Sequence, residues 1–400
     1  MQTGIYEKLG VDADKRNVRE IFSRLNDNAY PGAFVNVIPD PFNPKKVLTQ
    51  HQDGDGSKFV QRMLEYSVTK DKNVFSGMAD DALSMNTGDI AAAGFVFDPW
   101  VITSVLNLNL SKEIKETVMS QVATRLIELR ELYAENGFVI KFLGGETADL
   151  PDQVRSGVFD MAITAQANKG DVISGNVQDG DIIYGFASDG QTLWEPRPNS
   201  GLMSNGLTMA RSVLMNRRYN QKFPALKRAG KFYKGRFDYD FCPNILQGMS
   251  VGEALLSPTR QWAIVIKKII IALKKKNASH LLHGITMNTG GGATKILNLG
   301  LGGIEYVKGM PIAPPICQLI QKESQESWHN MYKSFNCGVG IDVVGEHNPI
   351  LNTVLKQVAH DCGLPLYTMG VCLRFADEKN AKNKVTLGTP YGSFQYAPKD

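Results

Sequence analysis

The chain lacks any apolar run of membrane-spanning length; even Trp262 to Leu273 is interrupted by Lys267 and Lys268. Its opening residues, Met1 to Lys8, have no apolar core of the kind a secretory leader needs, so a cytoplasmic protein with no membrane partner is expected. Cysteine is scarce. The five present, at 242, 317, 337, 362 and 372, are odd in number and widely spaced, which predicts reduced, mostly buried thiols. No G-x-S-x-G occurs, which removes the nucleophile elbow of a Ser/His/Asp hydrolase. Neither a Walker A sequence nor G-x-G-x-x-G is present. Of six histidines only His280 and His283 are close together, and without a neighbouring Cys or Asp they make a poor zinc proposal. Acids are missing altogether from 217–236, which carries Arg217, Arg218, Lys222, Lys227, Arg228, Lys231, Lys234 and Arg236. A solvated surface insertion is the first reading of that segment, a phosphate-attracting rim the second and nucleic-acid binding a distant third. The net charge of +4 is too small to point to nucleic acid.

What is there describes an ordinary folded protein. At 400 residues, 43% hydrophobic and 21% charged, the chain has room for one large or two medium domains with a real core. Strand-like and helix-like segments alternate, so a mixed α/β (α+β) fold is expected, with sheets flanked by helices. A boundary near residue 168 divides it into 1–168 and 169–400. Ser111 caps a predicted helix to about Asn136, whose stripe is Ile114, Val118, Val122, Leu126 and Leu129, and Gly137 ends it. Val158 to Ala165 alternates like a half-buried strand, and Ile182 to Ala187 is a second one. Ser257 and Pro258 read as the start of a helix whose apolar face includes Trp262, Ile266, Ile269 and Leu273.

Four segments carry chemistry. Asp53-Gly54-Asp55-Gly56-Ser57-Lys58 puts two carboxylates in a loop between a strand and a helix. An EF-hand fails there, because Lys58 stands where the loop glycine belongs and Leu64 where the bidentate glutamate belongs. Magnesium suits better, needing only one or two protein carboxylates alongside phosphate oxygens. Asp81 and Asp89 lie about two turns apart on a predicted helix and point to nearly the same side. Gly144-Gly145-Glu146-Thr147-Ala148-Asp149 reads as a glycine turn with an acid, following a strand from Phe138 to Leu143. Ser204-Asn205-Gly206 and Thr289-Gly290-Gly291-Gly292 precede helical runs, where exposed N–H groups bind anions.

These segments, in order and over nearly the whole chain, resemble the aminoimidazole ribonucleotide synthase (phosphoribosylformylglycinamidine cyclo-ligase) family. Gln52 to Lys58 is similar to that family's Thr-Asp-Gly-Val-Gly-Thr-Lys, and Gly144 to Asp149 to its Gly-Gly-Glu-Thr-Ala-Glu. Leu256-Ser257-Pro258-Thr259-Arg260 and Met331 to Gly340 also match. Departures are clear. Gly88 stands where the family has Asn, Met203 and Met287 stand where it commonly has His, and the nucleotide loop is shortened to Tyr30-Pro31-Gly32-Ala33-Phe34. Insertions fall at about 191–200 and 217–250.

The resemblance implies a two-domain fold, a homodimer, and ATP-dependent ring closure of formylglycinamidine ribonucleotide. It implies Mg2+ on Asp53, Asp89 and Glu146, with Asp55 and Asp81 in support. ATP is expected on Asp53, Gly54, Asp55, Gly56, Ser57, Lys58, Gly144, Gly145 and Thr147, with Lys58 on its phosphates. The substrate phosphate is expected on Ser204, Asn205, Gly206, Arg260, Thr289, Gly290, Gly291 and Gly292. A relative that binds ATP without turnover, or one that phosphorylates another acceptor, stays open as an alternative.

Overall fold

Period-two burial builds the first sheet. The computed structural model describes residues 4–11, 21, 25, 27–222, 232–375 and 381–397; Lys227, Arg228 and Lys231 of the basic segment lie outside them. Strands β1 (Ile38–Pro39), β2 (Lys46–Gly54), β3 (Trp100–Leu108), β4 (Ile140–Asp149) and β5 (Gly157–Asn168) form a five-stranded sheet in the order β1-β2-β5-β3-β4. On β5, Phe159, Met161, Ile163 and Ala165 are buried while the residues between them are half-exposed. One face therefore packs against helices and the other looks outward.

The second sheet holds seven strands: β6 (Ile182–Ala187), β7 (Leu282–Met287), β8 (Ile304–Gly309), β9 (Val339–Gly345), β10 (Leu366–Arg374), β11 (Lys384–Thr389) and β12 (Gly392–Tyr396). Their order is β12-β11-β8-β10-β6-β9-β7, antiparallel except where β11 meets β8. The helices used below are α1 (Ile5–Lys8), α2 (Lys58–Thr69), α3 (Gly77–Ala92), α4 (Lys112–Glu135), α5 (Leu207–Leu214), α6 (Val251–Leu256), α7 (Trp262–Lys275), α8 (Pro315–Ser324), α9 (Trp328–Ser334) and α10 (Pro349–Cys362).

Helix α3 joins the two halves. It packs on β2, β5 and α4 of the first and on α7 and β7 of the second. One apolar cluster accordingly runs from Trp100, Tyr133 and Ile163 through Ile266 and Ile269 to Met287. All five cysteines are free, and all but Cys242 are buried. Among the described residues no helix is long and apolar enough to cross a membrane.

Three local expectations change. The strand before Gly144 does not end in a turn: β4 continues through the whole segment to Asp149. Gly144, at φ 96°, absorbs a register shift against β3 as a bulge. The helix expected from Ser257 starts at Trp262 instead, because the Thr259 N–H and hydroxyl both bond Asp81. After the triple glycine the chain forms a 3-10 helix, Gly292–Asn298, rather than an α-helix.

Candidate active site

Helix α3 is the unusual element, since nearly every residue on it is buried although it carries Asp80, Asp81, Asn86, Thr87 and Asp89. Buried carboxylates are costly unless paired. Two of the three are paired with lysine or arginine. Asp80 receives a two-pronged bond from Arg125, at 2.9 Å on each oxygen. Asp81 accepts from Lys58 at 2.8 Å, Arg62 at 2.6 Å, the Ser204 hydroxyl at 2.9 Å and Thr259. Burial pushes the Asp81 carboxyl up, but Lys58 and Arg62 outweigh it and hold it below the usual range. Asp89 is different. Its Oδ2 lies 3.4 Å from His51 Nε2, and its Oδ1 is buried with no partner.

His51 and Asp53 alternate onto the inward face of β2, toward α3. The Asn86 amide donates to the carbonyls of Asp53 and Ala82, leaving its oxygen to accept from His51 Nδ1 at 2.9 Å. Burial disfavours charge on His51, yet Asp89, Asn86 and Asp53 together raise its pKa above the usual value. The His51 ring thus lies between two carboxylates that both favour its charged form. Sequence reading missed His51, although its position two residues before Asp53 in a strand was the available signal. Among the described residues no group of three His, Cys, Asp or Glu side chains is arranged to hold a metal. The fit for Mg2+ rests on Asp53 and on the orphaned oxygen of Asp89, a donor set that an incoming phosphate would complete.

The rest of the first loop divides in role. Asp55 is fully buried with both carboxylate oxygens unpartnered, and burial pushes its pKa well above the usual range. Lys58, expected on ATP phosphate, is also fully buried, bonding Asp81 and the Ser257 carbonyl. Gly56 and Ser57 do meet the second half: a side chain on Gly56 would start 3.8 Å from the Ser204 carbonyl, and Thr208 donates to Ser57 at 3.3 Å.

The second-half loops meet there as well. Asn205 Oδ1 lies 3.6 Å from where a Cβ on Gly290 would stand, joining Ser204–Gly206 to Thr289–Gly292. Gly206 and Gly291 both have positive φ, at 70° and 96°. The N–H groups of Gly292 and Ala293 are committed to the carbonyls of Thr289 and Phe335, which leaves Gly290 and Gly291 at the mouth. Arg260 does not belong to this cradle. Its guanidinium grips both oxygens of Glu195, at 3.0 and 2.9 Å, and the carbonyls of Ala187, Asp189 and Gly190. It ties down the insertion at 191–200.

Glu146 is not brought to Asp53 or Asp89. It pairs with Val105, which pairs with Asp160, which pairs with Gly54. Three inter-strand steps separate them, roughly 14 Å at ~4.8 Å per step. Paired residues share a face, so Glu146 lies on the outward face with Gly54 while Asp53 lies inward. One chain therefore does not place all three acids on one ion. Gly144, Gly145 and Thr147 travel with Glu146 on this exposed edge strand, where Thr147 N–H donates to Glu146 Oε1.

Two departures from the resembled family prove to be one feature. A Cβ on Gly88 would collide with Sδ of Met287, so the thioether occupies the space an α3 side chain would fill. Met203 and Met287 are both buried in the same apolar cluster. Gly88→Ala should destabilise the protein by about 1–3 kcal/mol through overpacking. Helix propensity alone would favour the change by roughly 0.5–1 kcal/mol. Adding Met287→Ala should recover part of the loss, and additive losses in denaturant unfolding would contradict the coupling.

No protein-family model matches the chain. Among curated proteins, the phosphoribosylformylglycinamidine cyclo-ligase of Methanococcus vannielii is 29% identical over 380 residues, covering 91% of each chain. That of Brevibacillus brevis is 27% identical, covering 91% of this chain and 94% of its own. Among solved structures, AaThiL complexed with AMPPCP and TMP shares the fold at TM-score 0.53 and 11% identity, covering 99% of both chains. Phosphoribosylformylglycinamidine synthase II from Thermotoga maritima does so at TM-score 0.55 and 10% identity, covering 98% of this chain and 50% of that one. In sequence the chain is similar to phosphoribosylformylglycinamidine cyclo-ligases, which are enzymes, over most of its length, and in fold it is similar to AaThiL.

Proposed function

We propose that this protein closes the imidazole ring of aminoimidazole ribonucleotide, converting formylglycinamidine ribonucleotide and ATP to that product, ADP and phosphate, in purine biosynthesis. The observations carrying this reading are the orphaned Asp89 oxygen, on the helix whose Asn86 bonds the Asp53 carbonyl, and the approach of Gly56 to Ser204 and of Gly290 to Asn205. The relatives' names supply the substrate.

The chemistry follows from a leaving-group problem. An amide oxygen departs poorly as hydroxide. Transfer of the γ-phosphoryl group forms an O–P bond on the formyl oxygen and releases ADP. The neighbouring amidine-side nitrogen then attacks the activated carbon, phosphate leaves with that oxygen, and the nitrogen loses its proton. Both ends belong to one molecule, so the protein's task is to hold them together and to stabilise charge on the moving phosphoryl group.

In this reading Asp53 and Asp89 hold Mg2+, which when bound would neutralise charge on the triphosphate. Gly54, Gly56 and Ser57 approach ATP, and Ser204–Gly206 with Thr289–Gly291 hold the ribose phosphate. Glu146, exposed on the outward sheet face, would serve the site of a second copy in a homodimer, with Gly144, Gly145 and Thr147 beside it. A cytoplasmic setting suits such metabolism. Met203 and Met287 favour one competing reading, a relative that binds ATP without turnover. Purified protein should release ADP only when formylglycinamidine ribonucleotide, ATP and magnesium are all present. ATP binding with no substrate-dependent ADP would support the competing reading instead.

A further inference from the structure

Three arginines are buried among the described residues: Arg62, Arg211 and Arg260. Arg62 meets Asp81 and Arg260 meets Glu195. Arg211 is 4% exposed, meets no carboxylate among the described residues, and has an Nε with no acceptor. Its guanidinium stands 5.2 Å from the Phe232 ring centre, with the Tyr233 and Tyr6 phenols in its field. Arginine stays charged in proteins, so Arg211 does not escape the cost by losing its proton. Neutral aromatic neighbours offset only part of what burying a lone charge costs. An anion would offset the rest.

Helix geometry and the Tyr6 contact bear on where such an anion would sit. Arg211 is four residues after Leu207 on α5, and helical side chains lean toward the N-terminus, here toward Gly206. Tyr6 of α1 touches both ends of this niche, bonding the Gly206 backbone and lying within reach of Arg211's charge. The Asn205 side chain brings a second orphan, an amide Nδ2 that is buried without an acceptor. A helix N-terminus carries partial positive charge and N–H donors of its own. Arg211 on α5 and Asn205 just before it thus each leave a donor without an acceptor.

We propose that Arg211, rather than Arg260, binds the phosphate group of the substrate at the α5 N-terminus beside Asn205 and Gly206, with Tyr6 closing over it. The proposal deepens the ribonucleotide reading above and rests on it for the substrate class. Arg211 recognises the dianion, so a riboside lacking phosphate is excluded at this point. Phe232 and Tyr233, from the basic segment that the sequence left unexplained, supply the wall that keeps the guanidinium from water.

Calorimetry on the full chain tests this, with ribose 5-phosphate as probe, ribose as control and AMPPNP as a reporter of the nucleotide site. Wild type should bind ribose 5-phosphate and not ribose. Arg211→Met should weaken ribose 5-phosphate at least tenfold, Arg211→Lys less, and neither should change AMPPNP affinity. Equal ribose 5-phosphate affinity in folded Arg211→Met, or none in wild type, overturns the proposal. If Arg211→Met does not fold, amide exchange on wild type decides: ribose 5-phosphate should slow exchange across 204–211, and unchanged exchange there contradicts it. Because the probe involves no ring closure, an absence of cyclised product would overturn the ribonucleotide reading without touching this result.

Discussion

Asp53→Asn should leave a folded protein that releases ADP at least a hundredfold more slowly, on the order of losing one strong transition-state contact. The residue sits at the end of β2, half-exposed, and its Oδ1 accepts the Gly54 N–H at 2.8 Å. An asparagine oxygen preserves that bond, so the backbone turn into Gly54 and Asp55 survives. What disappears is a negative charge beside Asp89. Loss of that charge also removes one of the contributions that raise the His51 pKa. Steady-state assay together with thermal unfolding separates the two effects. Activity within a fewfold of wild type in a folded variant would mean that Asp53 holds no ion.

Lys58→Met has the opposite signature, a large loss of stability. Lys58 and Asp81 are both wholly buried, 2.8 Å apart, and Asp81 also anchors Arg62, Ser204 and Thr259. Removing one partner from a buried pair leaves the other charge uncompensated and costs about 3–5 kcal/mol. Arg62 remains to meet Asp81, which places the expected loss toward the lower end of that range. Denaturant unfolding should show the midpoint falling sharply. The consequence reaches function indirectly, because the Asp81 hub ties α2, α3, the Ser204 loop and the Thr259 segment together. A variant as stable as wild type, with ATP affinity lost, would return Lys58 to the phosphate role that the sequence resemblance implied.

Elements with local signals were legible in the sequence. Ile182–Ala187 and Leu207–Leu214 fall where alternation and turn residues placed them, and α4 begins after Ser111 and ends before Gly137 as its caps implied. The gathering of Gly56, Ser204–Gly206 and Gly290–Gly291 into one cleft was legible only as separate glycine motifs. Long-range partners were not legible. Arg260 looked available for phosphate until Glu195, 65 positions away, took it. Lys58 looked free until Asp81 and the Ser257 carbonyl took it. The position of Glu146 depends on strand register, where a one-residue shift reverses the face a side chain occupies, and the bulge at Gly144 is not visible in composition. His51 was overlooked because its partners Asn86 and Asp89 lie on a helix 35 or more residues later.

Oxygen tracing tests phosphoryl activation most directly. Formylglycinamidine ribonucleotide carrying 18O in its formyl oxygen should give phosphate with one labelled oxygen per turnover, and unlabelled ADP. Aminoimidazole ribonucleotide forming alongside unlabelled phosphate would show that the formyl oxygen never bore the γ-phosphoryl group, and would contradict the mechanism at its first step.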